Sequence, residues 1–154
     1  FCLVGGTVAG TGRGEILTPL TALPERWFVL VHPPIQVSTP EIYNHPKLKK
    51  SEYKIPVTGR STALDLAIRR CLDGDVSGAL YNAMEGVALM FYPQIEAIQT
   101  RLTDAGCKGV LMSGSGPTIF GLCKDQAQAR SIQSKLGDLR TSVVHTVSQA
   151  VEAV

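Results

Sequence analysis

Between Ser113 and Thr118 the chain reads Ser-Gly-Ser-Gly-Pro-Thr, three hydroxyl side chains and two glycines with very little bulk. Such a run can bring backbone amides and hydroxyls close to phosphate oxygens, because glycine has no Cβ to hold a ligand away. It is neither the lysine-bearing loop of P-loop nucleotidases nor the three-glycine fingerprint of dinucleotide sites. Taken alone, it also describes a tight structural turn. Other groups with chemistry of their own are scattered. His32, His45 and His145 have no serine elbow or carboxylate partner at a recognisable spacing and read as structural or surface residues. Glu15, Asp65, Glu96 and Asp104 read as hairpin, capping or solvated carboxylates. Cys2, Cys71, Cys107 and Cys123 are far apart and form no Cys-x-x-Cys, so the sequence suggests neither a metal site nor a disulfide framework, and a reducing compartment is the simplest inference.

The 154 residues are 44% hydrophobic and 18% charged with a net charge of +2, which is ordinary for a folded domain and argues against global disorder. Lys47, Lys49, Lys50 and Lys54 cluster beside Pro46 and Pro56 and read as a solvated loop, so nucleic acid is not an expected partner. The apolar stretches 27–31 and 87–92 are too short to span a membrane, which predicts a soluble protein. The opening run Phe1-Cys2-Leu3-Val4 reads as a strand already under way, as expected of a fragment or processed product.

Elements must position these groups. Glycines at 5, 6, 10, 12 and 14 punctuate short strands up to Leu20, the pattern of a hairpin or meander. Trp27 to Val31 is a continuous apolar run, the form of a strand covered on both faces. Ser38-Thr39-Pro40 predicts a capped helix reaching Asn44, and 44–59 reads as a loop. Thr62 with Asp65 forms a capping-box signal for a helix to Leu72, with Leu64, Ile68 and Cys71 on its apolar stripe. A second helix is expected over Val76 to Met84, and a third with Ile95, Ile98, Leu102 and Ala105 inward and Gly106 at its end. Pro93 falls in the first turn of that third helix or kinks it. Strands at 109–112 and 118–123 flank the glycine-rich loop. Asp125 caps a helix with Ala129, Ile132 and Leu136 inward and Gly137 as its stop, and a strand over Ser142 to Val147 precedes a tail. Counted from Trp27, the order predicts an α+β fold, the ferredoxin-like split βαβ sandwich with an elaborated first crossover.

The string from Leu111 to Leu122, Leu-Met-Ser-Gly-Ser-Gly-Pro-Thr-Ile-Phe-Gly-Leu, resembles the third conserved motif of the GHMP superfamily of small-molecule kinases. Phe1 to Thr7 with Gly12-Arg13-Gly14-Glu15 resembles the stretch after that family's catalytic aspartate, and His32-Pro33 through Ser38-Thr39-Pro40-Glu41-Ile42-Tyr43 resembles its substrate-side segment. The likeness is narrowest to the branch that phosphorylates a cytidine diphosphate derivative in the non-mevalonate isoprenoid pathway.

The resemblance implies a GHMP kinase C-terminal domain over residues 23–154, preceded by strands of the amino-terminal domain over 1–22. It implies that Thr39 lies near the transfer site and that Tyr43 stacks on the cytosine, with Ser113, Gly114, Ser115, Gly116 and Thr118 facing phosphate. ATP with Mg2+ would be the parent enzyme's cofactor. No catalytic or metal-binding residue is expected within the chain, because the resemblance puts the catalytic aspartate upstream of Phe1 and leaves the ATP loop and lysine to the missing amino-terminal domain. The isolated chain is therefore expected to be inactive. The setting would be bacterial cytoplasm or plastid stroma, and pairing of the first strands between copies would make a homodimer. The rival expectation is a ferredoxin-like small-molecule binding or regulatory module without catalysis, since that sandwich hosts many functions.

Overall fold

The computed structural model describes residues 5–12, 14–48 and 62–147. In chain order its elements are β1 (Val8–Thr11), β2 (Ile16–Pro19), β3 (Trp27–Val31), α1 (Thr39–Asn44), α2 (Thr62–Leu72), α3 (Val76–Ala79), α4 (Glu85–Phe91), α5 (Gln94–Asp104), β4 (Gly109–Met112), β5 (Ile119–Cys123), α6 (Gln126–Lys135) and β6 (Thr141–His145). They divide into two units. One contains β1, β2, α2 and α3, and the other contains β3 to β6 with α1, α4, α5 and α6.

In the first unit, β1 and β2 pair antiparallel with Val8 opposite Pro19. The turn between them is closed by the Gly14 amide donating to the Thr11 carbonyl at 3.0 Å. This is the hairpin expected from the glycine spacing. The strand read at Phe1 to Val4, Arg13, the lysines at 49, 50 and 54, and the tail from residue 148 lie outside the described residues. In α2, Leu64, Ile68 and Cys71 recur at helical spacing, each half-buried. Asp75 starts α3: its Oδ1 accepts from the Gly78 amide at 2.9 Å and from the Ser77 hydroxyl at 3.0 Å. These bonds, the Gly78 amide first, hold the carboxyl below the usual range.

The helix expected over Val76 to Met84 is a correction, because α3 ends at Ala79 and α4 starts only at Glu85. Gly78 is a poor interior helix residue. The Asn82 side chain also competes with the helix, its Oδ1 accepting from the Met84 amide at 3.0 Å.

The second unit is a four-stranded sheet in the order β4-β5-β3-β6, with every neighbouring pair antiparallel. That order and the two crossovers make the split βαβ sandwich. Ile95, Ile98 and Leu102 of α5 and Ala129 and Ile132 of α6 meet Val29, Val31, Met112 and Ile119 of the sheet in one core. Burying each large apolar side chain is worth roughly 1.5–3 kcal/mol. Asp125 caps α6 by accepting the Gln128 amide at 2.8 Å, as its position suggested.

Two features differ from expectation. Only one face of β3 is deeply covered: Val29 and Val31 are buried, whereas Phe28 and Leu30 on the other face are half-buried, with Phe28 packed edge-on against Phe120. The last strand spans Thr141–His145 rather than starting at Ser142 and reaching Val147, because its pairing with β3 stops where Trp27 meets His145.

Register dictates what meets at one end of the sheet. Val31 and Met112 both pair with Ile119. The chain leaving β3 toward α1 and the loop between β4 and β5 therefore emerge together.

Candidate functional site

The loop is built from backbone hydrogen bonds across its neck. The Ser113 amide donates to the Thr118 carbonyl at 2.8 Å, and the Gly116 amide donates to the Ser113 carbonyl at 2.9 Å. Gly114 and Gly116 have φ of +58° and +88°, values that other residues adopt only at a cost. A Cβ at Gly116 would lie 2.7 Å from the sulfur of Met112, which is 1% exposed and cannot readily yield. A Cβ at Gly114 would meet nothing within 4 Å. The Gly116-Pro117 bond is cis. Among the described residues, the amides of Gly114 and Ser115 have no hydrogen-bond partner. Free amides beside a positive-φ glycine are suited to anion oxygens.

Helix α1 supplies the facing wall. Ser38 Oγ accepts from the Glu41 amide at 3.4 Å, Pro40 occupies the first turn, and fully buried Ile42 anchors the helix to the core. Thr39 and Tyr43 are four residues apart and so lie on one face. The Thr39 hydroxyl is 2.7 Å from the Ser115 hydroxyl. The fold thus brings together Thr39 and the Ser113 to Thr118 loop. Tyr43 sits one turn further along α1 and is 54% exposed.

His32 packs at the base of this loop. Its Nδ1 is 3.4 Å from the Thr118 hydroxyl and its Nε2 is 3.3 Å from the Ser142 hydroxyl. His45 stacks edge-on against Phe91, and His145 lies against Trp27.

Two residues that the sequence reading passed over hold the loop from the other side. Asn82 Nδ2 donates to the carbonyls of Met112 at 2.8 Å and Gly114 at 2.7 Å. Glu85 Oε1 accepts from the Met112 amide at 2.8 Å and from Gln99 Nε2. An Asn followed three residues later by Glu, straddling the end of the stretch read as helix, is the signal that could have marked the break.

The site therefore offers amide and hydroxyl donors around a tight turn, suited to holding an anionic group. Among the described residues, no three His, Cys, Asp or Glu side chains gather in a way that could hold a metal ion. No helix among those residues is long and apolar enough to cross a membrane.

Residues 67–139, which include the loop, Asn82 and Glu85, match the family described as GHMP kinases C terminal. Over that segment the chain matches a GHMP kinase C-terminal domain. Thr39 and Tyr43 precede the matched segment. The chain is 35% identical over 136 residues to the 4-diphosphocytidyl-2-C-methyl-D-erythritol kinase of Shouchella clausii, covering 88% of this chain and 44% of that protein. It is 37% identical over 146 residues to the enzyme of the same name from Moorella thermoacetica, covering 95% of this chain and 51% of that one. A crystal structure of 4-(cytidine 5'-diphospho)-2C-methyl-D-erythritol kinase superposes with a TM-score of 0.68 at 29% identity, over 87% of this chain and 47% of that one. The chain thus spans about half the length of the relatives it matches. The α+β sandwich expected from the order of elements is the fold of this GHMP domain.

Proposed function

We propose that this chain is the carboxy-terminal part of a 4-diphosphocytidyl-2-C-methyl-D-erythritol kinase, which moves the γ-phosphate of ATP onto the 2-hydroxyl of that cytidine diphosphate derivative. The observation that carries this reading is the 37% identity to a kinase of that name along 95% of the chain. In this reading residues 1–22 are strands of the amino-terminal domain and residues 23–154 form the carboxy-terminal domain. The bacterial sources of the relatives favour a bacterial cytoplasm.

The chemistry divides accordingly. Phosphoryl transfer needs positioned phosphates, charge neutralisation and a group that orients the attacking hydroxyl. The amides of Gly114 and Ser115 and the hydroxyls of Ser113, Ser115 and Thr118 hold phosphate. Thr39 lies beside the transfer point, and Tyr43 stacks on the cytosine, a contact worth roughly 1–3 kcal/mol. Among the described residues no cluster of three or more His, Cys, Asp or Glu side chains offers an all-protein metal cage. The magnesium bound with ATP, the proton acceptor and the main nucleotide loop belong, in this proposal, to the amino-terminal domain.

Calorimetric titration of the full-length protein tests substrate class. The cytidine diphosphate derivative should bind at least tenfold tighter than simple amino acids. Equal affinity, or preference for amino acids, would favour a regulatory binding module instead.

A further inference from the structure

We infer that Asn82 and Glu85 are positioning residues that hold the phosphate-facing loop in register for transfer. The inference rests on the kinase reading for its activity arm only. Among the described residues, strand β4 lies at the edge of the sheet and has a strand neighbour on one side only. Edge amides and carbonyls normally face solvent or an outside partner. At Met112, the last residue of β4, two side chains take the place of that neighbour. Glu85 accepts the Met112 amide at 2.8 Å and Asn82 donates to the Met112 carbonyl at 2.8 Å. The second hydrogen of the same Asn82 amide group reaches the Gly114 carbonyl at 2.7 Å. One side chain thus clamps the backbone on both sides of Ser113.

The clamp is itself fixed. Asn82 Oδ1 accepts from the Met84 amide at 3.0 Å, and Glu85 also takes a hydrogen bond from Gln99 of α5. With these bonds, Asn82 uses both donors and its acceptor, a geometry that only an amide side chain satisfies. What it restrains is a loop with two positive-φ glycines, which gains much backbone freedom when released. Donors that must meet a transferring phosphoryl group lose rate steeply when misplaced, on the order of 10²-fold for about 1 Å.

The test uses full-length protein with three substitutions. Asn82→Asp points a carboxylate at two carbonyl oxygens, Glu85→Ala removes the acceptor, and Glu85→Gln keeps an oxygen able to accept the Met112 amide. We expect Asn82→Asp and Glu85→Ala to lower kcat about 10²-fold, with KM for the cytidine diphosphate derivative within about twofold of wild type. Hydrogen exchange at the Ser113 and Gly116 amides should quicken about tenfold in both, while exchange in β3 and β5 stays unchanged. Glu85→Gln should keep kcat within about threefold of wild type. Wild-type kcat and wild-type loop exchange in Asn82→Asp and Glu85→Ala would overturn the inference. So would faster exchange throughout β3 and β5, which would make the pair general fold residues. A wild-type protein inactive on this substrate would refute the kinase reading instead, leaving the exchange measurements to decide the clamp.

Discussion

The hydroxyls of Thr39 and Ser115 lie 2.7 Å apart although 76 residues separate them. The contact exists because β3 and β4 end against the same residue of β5, so that α1 and the glycine-rich loop leave the sheet together. It ties helix α1 to the Ser113 to Thr118 loop through a bond that solvent can reach.

Breaking that bond should affect activity more than folding. In full-length protein, Thr39→Val and Ser115→Ala should each lower kcat/KM about tenfold, equivalent to about 1.4 kcal/mol. Each should change unfolding free energy by less than about 0.5 kcal/mol, as expected of an exposed site. The double variant should be no worse than about twofold below the poorer single one, because both singles remove the same contact. Strictly additive losses in such a cycle would show that the two hydroxyls act independently.

Tyr43 separates stacking from hydroxyl chemistry. Tyr43→Ala should raise KM for the cytidine diphosphate derivative by about 5- to 150-fold, the range corresponding to one lost base stack. KM for ATP should stay within about twofold. Tyr43→Phe keeps the ring and should keep KM. Equal loss in both variants would assign the role to the phenol instead.

The loop glycines should differ in their response to alanine. At Gly114 the space is open and only the φ of +58° opposes a side chain, so Gly114→Ala should cost roughly 1–2 kcal/mol. At Gly116 the same strain is joined by the approach to the buried Met112 sulfur. Gly116→Ala should therefore be the more destabilising in urea unfolding, by roughly 1 kcal/mol or more. The reverse order would mean that Met112 gives way freely.

One ion pair sets a pH signature. Arg101 donates two hydrogen bonds to Asp138, at 2.8 and 2.6 Å, and chiefly this contact holds the Asp138 carboxyl below its usual range. A depressed folded-state pKa contributes stability above the unfolded value, and that contribution is lost as pH falls through the folded one. The difference in urea midpoint between wild type and Asp138→Asn should thus be steady above pH of about 5 and close as pH drops below about 4. Both groups are solvent-exposed, so the difference is expected to be small. A gap that widens in acid would contradict this assignment.

Much of this architecture was legible from local chemistry. Ser38 before Pro40 and Asp125 three residues before Gln128 are local signals, and each helix formed where they lie. Thr39 and Tyr43 share a face by helical spacing alone. Which strand end they would meet depends on register, and the order of elements implied that only once the sheet was drawn. Asn82 and Glu85 were not legible as loop partners. Their bonds run 32 and 27 residues ahead, from side chain to backbone. Helix α4 was missed for a related reason, since Val87 to Tyr92 is nearly all apolar and carries no polar face to reveal a period. Its Val87 and Ala88 are buried.

In the proposed reading, this chain supplies phosphate-facing and substrate-side walls while the groups that drive transfer lie in the remainder of a kinase. The most direct test of that reading is an ATP-dependent phosphorylation assay, read by phosphorus NMR, with 4-diphosphocytidyl-2-C-methyl-D-erythritol as acceptor. The full-length protein and the 154-residue chain would be run side by side. The account predicts a new phosphomonoester signal with the full-length protein and none with the chain alone. Turnover by the isolated chain, or none by the full-length protein, would contradict it.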